Sequence, residues 1–239
     1  MSSSRIVYGV HPVEELLRRR PKQVSTLFLV GRHKPLRELA ERHGVAVSGV
    51  DEAALDALCE GGNHQGVAAT VGEYRYLDLE TLLDRLPEAP LLIVADSLMD
   101  PQNLGSIIRS ALVLGAAGLV LPKDRSVRIT SAVVRVSAGA SEHLPCAQVT
   151  NLARTLERLK ERGFWVAGAV ERGGLHPAES DLTGATALVV GNEHKGIRPL
   201  VLERCDVRLT IPSGSAIASL NVAAATAALL YEAARQRRG

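Results

Sequence analysis

The chain has 239 residues, 46% of them apolar and 23% charged, a balance that suits one large or two modest globular domains and excludes a disordered, fibrous or disulfide-stapled class. Lys and Arg number 28 against 26 Asp and Glu, a formal charge of +2, so net charge points to no polyanionic partner and only local clusters could. Aromatic residues make up 3%, too few for a base-stacking platform of the kind that holds single-stranded nucleic acid.

Three cysteines, Cys59, Cys146 and Cys205, lie far apart with no CxxC and no histidine at zinc-ligand spacing, which reads as idle thiols in a reducing compartment and no metal site. Met1 to Arg5 is polar with no apolar run behind it, so no secretory leader is expected. The most apolar stretch, Ile217 to Tyr231, contains Ser219 and Asn221 and falls short of the roughly 20 residues that a membrane span requires. A soluble, cytoplasmic protein is the expectation.

The first third alternates short strands and helices. Pro12 suits a first helical position, and Val13, Leu16 and Leu17 give an apolar face that ends in Arg18-Arg19-Arg20-Pro21. A strand over 26–30, a helix over 36–42 closed by Gly44, and a strand over 45–50 follow. Asp51 then caps a helix over 52–59, Gly61-Gly62 ends it, and 67–71 reads as a strand. This is an α/β module over residues 1–72. Residues 73–89 turn polar, with a short amphipathic helix over 78–86 between Tyr76 and Pro87, and read as a linker.

Residues 90–239 carry a longer cycle: strands over 91–95, 118–121, 144–149, 164–170, 187–190 and 207–211, with helices over 104–114, 130–138, 151–162 (capped by Thr150) and 219–235. Continuous apolar runs such as Leu91-Leu92-Ile93-Val94 and Ala187-Leu188-Val189-Val190 are what a parallel sheet buried on both faces requires, so this domain is expected to be doubly wound.

Ligands of such sheets bind outside the carboxyl ends of the strands, which singles out three segments. The first runs from Asp96 through Asn103 to Arg109; taken alone, Asn103 also fits a helix cap and Arg109 a surface position. The second is Gly191-Asn192-Glu193-His194-Lys195-Gly196, where two glycines can bring backbone close to a ligand, although an exposed turn reads the same way. The third is Ile211-Pro212-Ser213-Gly214-Ser215-Ala216-Ile217-Ala218-Ser219-Leu220-Asn221-Val222, in which Ser219 also suits an N-cap. Together they offer amides, a hydroxyl, a carboxylate and an arginine, without a nucleophile–His–Asp triad.

In this order, Asn103-x-Gly105-x-x-x-Arg109, Gly191-Asn192-Glu193-x-x-Gly196, and Ile211-Pro212 with Ser219-Leu220-Asn221-Val222 resemble the SpoU-type RNA 2′-O-ribose methyltransferases of the SPOUT superfamily. Tyr8-Gly9-Val10-His11-Pro12-Val13, His64-Gln65-Gly66-Val67 and Pro122-Lys123-Asp124-Arg125-Ser126 extend the likeness to the members that modify a guanosine of 23S ribosomal RNA. Ser213 and Ala223 depart from the usual family text, where methionine and serine are common.

The resemblance implies an α/β fold with an N-terminal RNA-recognition domain and a C-terminal domain tied in a deep trefoil knot, against the general rarity of knots. It implies S-adenosylmethionine as cofactor, bound by Gly191, Ile211 and Leu220, and a homodimer with its sites at the subunit interface. It assigns the chemistry to Asn103, Arg109, Glu193, Ser219 and Asn221. An arginine, with a pKa above about 12, is a poor base, so Arg109 is expected to stabilise alkoxide charge while a phosphate or water takes the proton. Two alternatives stand beside this reading, a transfer-RNA methyltransferase of the same superfamily and a non-catalytic RNA-binding protein; a dehydrogenase is disfavoured because no glycine fingerprint follows a predicted strand. Arg18, Arg19, Arg20 and Lys22, and Arg32, His33 and Lys34, are the clusters expected to give the first domain a basic face.

Overall fold

The computed structural model describes residues 4–212, 214 and 220–238 and resolves the chain into two compact units. The first comprises the residues up to Arg75 together with Arg128–His143. Its elements in chain order are β1 (Arg5–Tyr8), α1 (Val10–Arg19), β2 (Val24–Leu29), α2 (Lys34–Arg42), β3 (Ala46–Gly49), α3 (Glu52–Leu58) and β4 (Val67–Val71). The sheet order is β1-β4-β2-β3, antiparallel except for the β2–β3 pair. The central strand β4 buries Val67, Ala68, Ala69 and Val71 completely, because helices cover both of its faces. From α1, Pro12, Val13, Leu16 and Leu17 are buried, each large aliphatic side chain contributing roughly 2 kcal/mol of transfer free energy. Leu55 and Cys59 pack on Ala68 with Ile6, Tyr8 and Phe28 around them. As the sequence suggests, Asp51 caps α3, its carboxylate accepting from the Ala54 N–H at 2.8 Å.

The second unit comprises Tyr76–Val127 and the residues from Leu144 onward. Across the rest of the chain the elements are α4 (Leu79–Leu83), β5 (Leu91–Ala95), α5 (Pro101–Val113), β6 (Gly118–Pro122), α6 (Ser131–Val136), β7 (Cys146–Val149), α7 (Leu152–Glu161), β8 (Trp165–Ala169), β9 (Thr186–Val190), α8 (Pro199–Leu202), β10 (Val207–Leu209) and α9 (Val222–Arg238). Six parallel strands are ordered β10-β8-β9-β5-β6-β7, with β5, β6 and β9 buried along their whole length. One side of the sheet packs Leu92, Val94, Val120, Ala187 and Val189 against Leu152, Leu156 and Leu159 of α7. A membrane-spanning helix is absent among the described residues.

Several boundaries differ from those the sequence suggests. Asn151, not Thr150, caps α7, accepting from the Arg154 N–H at 3.1 Å. Helix α5 begins at Pro101, three residues earlier than expected, because Asp100 accepts from the Gln102 N–H and proline needs no donor at that position. The strand β1 and the one-turn helix α8 carry too little periodicity to be read. The last helix is described from Val222, not 219. The helix read over 130–138 and placed by the sequence reading in the second domain is α6, Ser131–Val136, within the first unit, where Tyr74 donates to the Ser141 carbonyl at 3.1 Å and Glu142 sits between Arg5 and Arg20.

Candidate functional site

The strands β5, β6 and β7 extend the sheet to one side, and the chain then returns to place β9 on the other side of β5. This reversal of strand order leaves a crevice at the carboxyl ends of β5 and β9. The register Ala95 to Val190 brings the two strand ends level, so the segments that follow begin side by side.

From the β5 segment, Asn103 lies on the first turn of α5 and is 8% exposed. Its amide does not cap the helix, a role taken by Asp100. Instead Asn103 Nδ2 donates to Glu193 Oε1 at 2.5 Å, and Asn103 Oδ1 accepts from Asn221 Nδ2 at 2.9 Å. Asn221 in turn caps α9: its Oδ1 accepts from the Ala223 N–H at 2.8 Å and its carbonyl from the Ala225 N–H. The three strand-end segments are therefore joined by one directed chain of amides, α9 to Asn221 to Asn103 to Glu193. Every amide oxygen accepts and every amide nitrogen donates, which aligns the dipoles toward the carboxylate.

Arg109 is exposed, six residues beyond Asn103, hence about 9 Å further along the helix and about 120° around it. It makes no hydrogen bond or ion pair with another described residue. Ser219 lies outside the described residues, as does Ser213.

Beside the amide chain is a cavity of about 710 Å³, within the range of small-molecule sites. Gly191, Ile211 and Leu220 line it together with Gly196, Ile197 and the inner face of α9. The turn that forms one wall holds itself in shape, Asn192 and Gly196 exchanging backbone hydrogen bonds at 3.0 and 2.9 Å. It does so only with glycine at 191, where a Cβ would stand 2.2 Å from the Gly196 carbonyl carbon. The lining is apolar side chain and main chain, with the ionisable groups Glu171, Glu193, His194 and Lys195. It suits a ligand with a flat apolar portion and a polar end, and S-adenosylmethionine has both. Among the described residues no group of His, Cys, Asp or Glu could hold a metal. The cysteines lie elsewhere: burial pushes Cys205 up to about 11 and raises Cys59, so both stay protonated thiols.

Sequence reasoning missed two residues of this site. Asp96, completely buried, and Asn192 tie the β5 and β9 segments together; both stand in the quoted motif segments, but no local spacing marks their partners.

Residues 90–231 match the SpoU rRNA Methylase family, and residues 6–77 match the RNA 2′-O ribose methyltransferase substrate binding family; the chain belongs to the SpoU methylases. It is 43% identical to a 23S rRNA (guanosine-2′-O-)-methyltransferase RlmB of Pseudomonas syringae pathovar tomato, over 99% of this chain and 98% of that protein. Among solved structures, the SpoU methyltransferase AviRb from Streptomyces viridochromogenes matches with a TM-score of 0.86 and 30% identity, over 98% of this chain and 90% of that one. The same enzyme in complex with the cofactor AdoMet matches with a TM-score of 0.85 and 29% identity, over 98% and 91%.

Proposed function

We propose that the protein transfers a methyl group from S-adenosylmethionine to the ribose 2′-hydroxyl of a guanosine in 23S ribosomal RNA. The observation that carries this is the amide chain Asn221–Asn103–Glu193 beside a cavity lined by Gly191, Ile211 and Leu220. Full-length similarity to a protein of that named activity supports the substrate, and the same likeness supports a bacterial cytoplasmic setting.

When bound, the cofactor supplies an electrophilic methyl carbon on a sulfonium. Gly191, Ile211 and Leu220 would hold that group, which would supply the methyl to the ribose 2′-oxygen. This chain's residues have to hold the ribose in line and stabilise the oxygen as its proton leaves. Glu193, held by Asn103, offers an acceptor to a ribose hydroxyl. Arg109, exposed and without a described partner, supplies positive charge to the developing alkoxide, and a substrate phosphate or water takes the proton. Ser219 is assigned with them on the resemblance alone.

The first unit is read as the RNA-recognising module, supported by the family matched at residues 6–77. Of its basic run, Arg20 is turned inward: its Nε lies 3.2 Å from Glu142 Oε2 and its guanidinium 4.8 Å from the Tyr74 ring centroid. Arg18 pairs with Glu14. Arg19, Lys22, Arg32 and Lys34 are exposed and are the cations proposed to meet phosphates. A homodimer is proposed through α5 and α9, which pack together and leave Val113 71% and Tyr231 63% exposed, apolar area that a second copy would cover. The trefoil knot is proposed from the family likeness, through the segment after β10.

Primer extension on ribosomal RNA from cells lacking the gene tests the reading. A stop at one guanosine should disappear, return with the wild-type gene, and not return with Asn103→Ala. An unchanged ribose-methylation pattern in the deletion strain would overturn it.

A further inference from the structure

Asp96 is the first residue after β5, and its side chain is completely buried. Its backbone N–H donates to the Val190 carbonyl at 2.7 Å, which carries the pairing of β5 with β9 one step past the strands. Its carboxylate accepts three hydrogen bonds. Ser97 Oγ and Arg198 Nε reach Oδ1 at 2.9 and 2.7 Å, and the Arg198 backbone N–H reaches Oδ2 at 2.8 Å. A second tie lies alongside: Asn192 Nδ2 donates to the Ser97 carbonyl at 3.1 Å, and Ser97 holds a φ of 60°, a strained conformation that persists only when its surroundings enforce it. Asn192 Oδ1 also accepts from the backbone N–H groups of His194 and Lys195.

The segment from Gly191 to Arg198 is thus fastened near both ends to the two residues that follow β5. Between the fastenings lie Glu193, which meets Asn103, and the glycine turn that walls the cavity. A buried carboxylate is costly unless its oxygens are used, and apart from its neighbour Ser97 the partners of this one belong to that loop. An apolar residue would complete the sheet edge as well; only a carboxylate holds both the backbone and the side chain of Arg198.

We propose that Asp96 is a positioning residue which, through Arg198, fixes the Gly191–Ile197 loop and so sets the affinity for S-adenosylmethionine. The proposal rests on the function proposed above. It is tested on the full chain with Asp96→Asn, nearly isosteric and uncharged. Loss of a charge-assisted hydrogen bond predicts about a tenfold or larger rise in KM and Kd for S-adenosylmethionine, with KM for RNA unchanged and with faster amide exchange at Gly196 and Arg198 in cofactor-free protein. Arg198→Lys, which keeps the charge and the backbone donor, should leave cofactor KM within about threefold of wild type.

A variant that lowers only the amount of folded protein, leaving cofactor KM and amide exchange as in the wild type, overturns the proposal. If Asp96→Asn does not fold, Arg198→Ala decides: a raised cofactor KM with faster exchange supports the tie, and wild-type values for both overturn it. Failure of the unmutated protein to bind S-adenosylmethionine would sink the functional reading and the cofactor role with it, whereas normal binding together with an indifferent Asp96→Asn variant sinks this inference alone.

Discussion

In the first unit two guanidinium groups, Arg5 and Arg20, converge on the fully buried side chain of Glu142 with the Tyr74 ring beneath both. In the second, the side chains that meet at the crevice are two asparagines and a glutamate, and Arg109 stands exposed further along the same helix. The contrast follows from desolvation. A charge taken out of water must be paired, and once paired it holds structure; burial here also pulls the Arg5 guanidinium down, with Glu142 opposing. Neutral amides can be buried at the cost of one or two hydrogen bonds, and Arg109 stays at the surface, where an anionic substrate can reach it. The first unit therefore uses charge to keep residues 128–143 in place; the second does the same for one loop through Asp96 and Arg198 but leaves Arg109 exposed for chemistry.

The largest effect expected from this difference is at Arg109. Arg109→Ala should lower the single-turnover rate of methyl transfer by about 10²- to 10³-fold, with cofactor affinity and melting temperature unchanged. Stopped-flow or quench assays and calorimetry measure the two sides of that statement. A variant that loses stability instead would place Arg109 with the structural charges.

Arg20→Ala, in the other unit, should do the reverse. Removing one partner of a buried ion pair costs about 3 kcal/mol, which urea unfolding followed by circular dichroism would show. Arg19→Ala, one residue away and exposed, should stay within about 0.5 kcal/mol. Equal effects at the two positions would mean that Arg20 is ordinary surface.

That pair also shows where sequence reading stops. Arg18-Arg19-Arg20 is a uniform run on the page, and only the fold distinguishes the middle residue from the one drawn onto Glu142. Strands β4, β5 and β9 were legible because continuous apolar runs have one explanation in a sheet buried on both faces, and Asp51 because a cap acts on the next turn. The site motifs were legible as segments. Their contacts were not: Asn103 and Glu193 are 90 residues apart, Asn221 and Asn103 are 118, and Asp96 and Arg198 are 102. No periodicity encodes a pairing of that range, so Asn103 read equally well as a helix cap.

A smaller effect is expected at the end of α9. Arg237 donates to the carbonyls of Leu182, Ala89 and Gly184, fastening the helix C-terminus to two loops of the second unit. Arg237→Ala should cost about 2 kcal/mol, read as a lower denaturation midpoint with cofactor affinity preserved at low temperature.

The smallest is a pH effect on exposed charges. Hydrogen bonds from Arg158 and then Arg162 hold the Glu80 carboxyl down at about 2, from an ordinary value of 4.5. A lowered native value stabilises the fold above the ordinary one, and the contribution disappears as pH falls from there through about 2. The melting temperature of Glu80→Gln should therefore lie slightly below wild type at pH 6, converge on it toward pH 2, and approach it in high salt as screening grows. A difference that persists in acid would contradict the assignment.

The most direct test of the central claim is nucleoside mass spectrometry of 23S ribosomal RNA incubated with the protein and trideuteromethyl-labelled S-adenosylmethionine. The account predicts the label on the ribose of a guanosine, with labelling at a fixed short time strongly reduced by Arg109→Ala and Asn103→Ala although both variants still bind the cofactor. Label on a base, or undiminished ribose labelling by both variants, would contradict it.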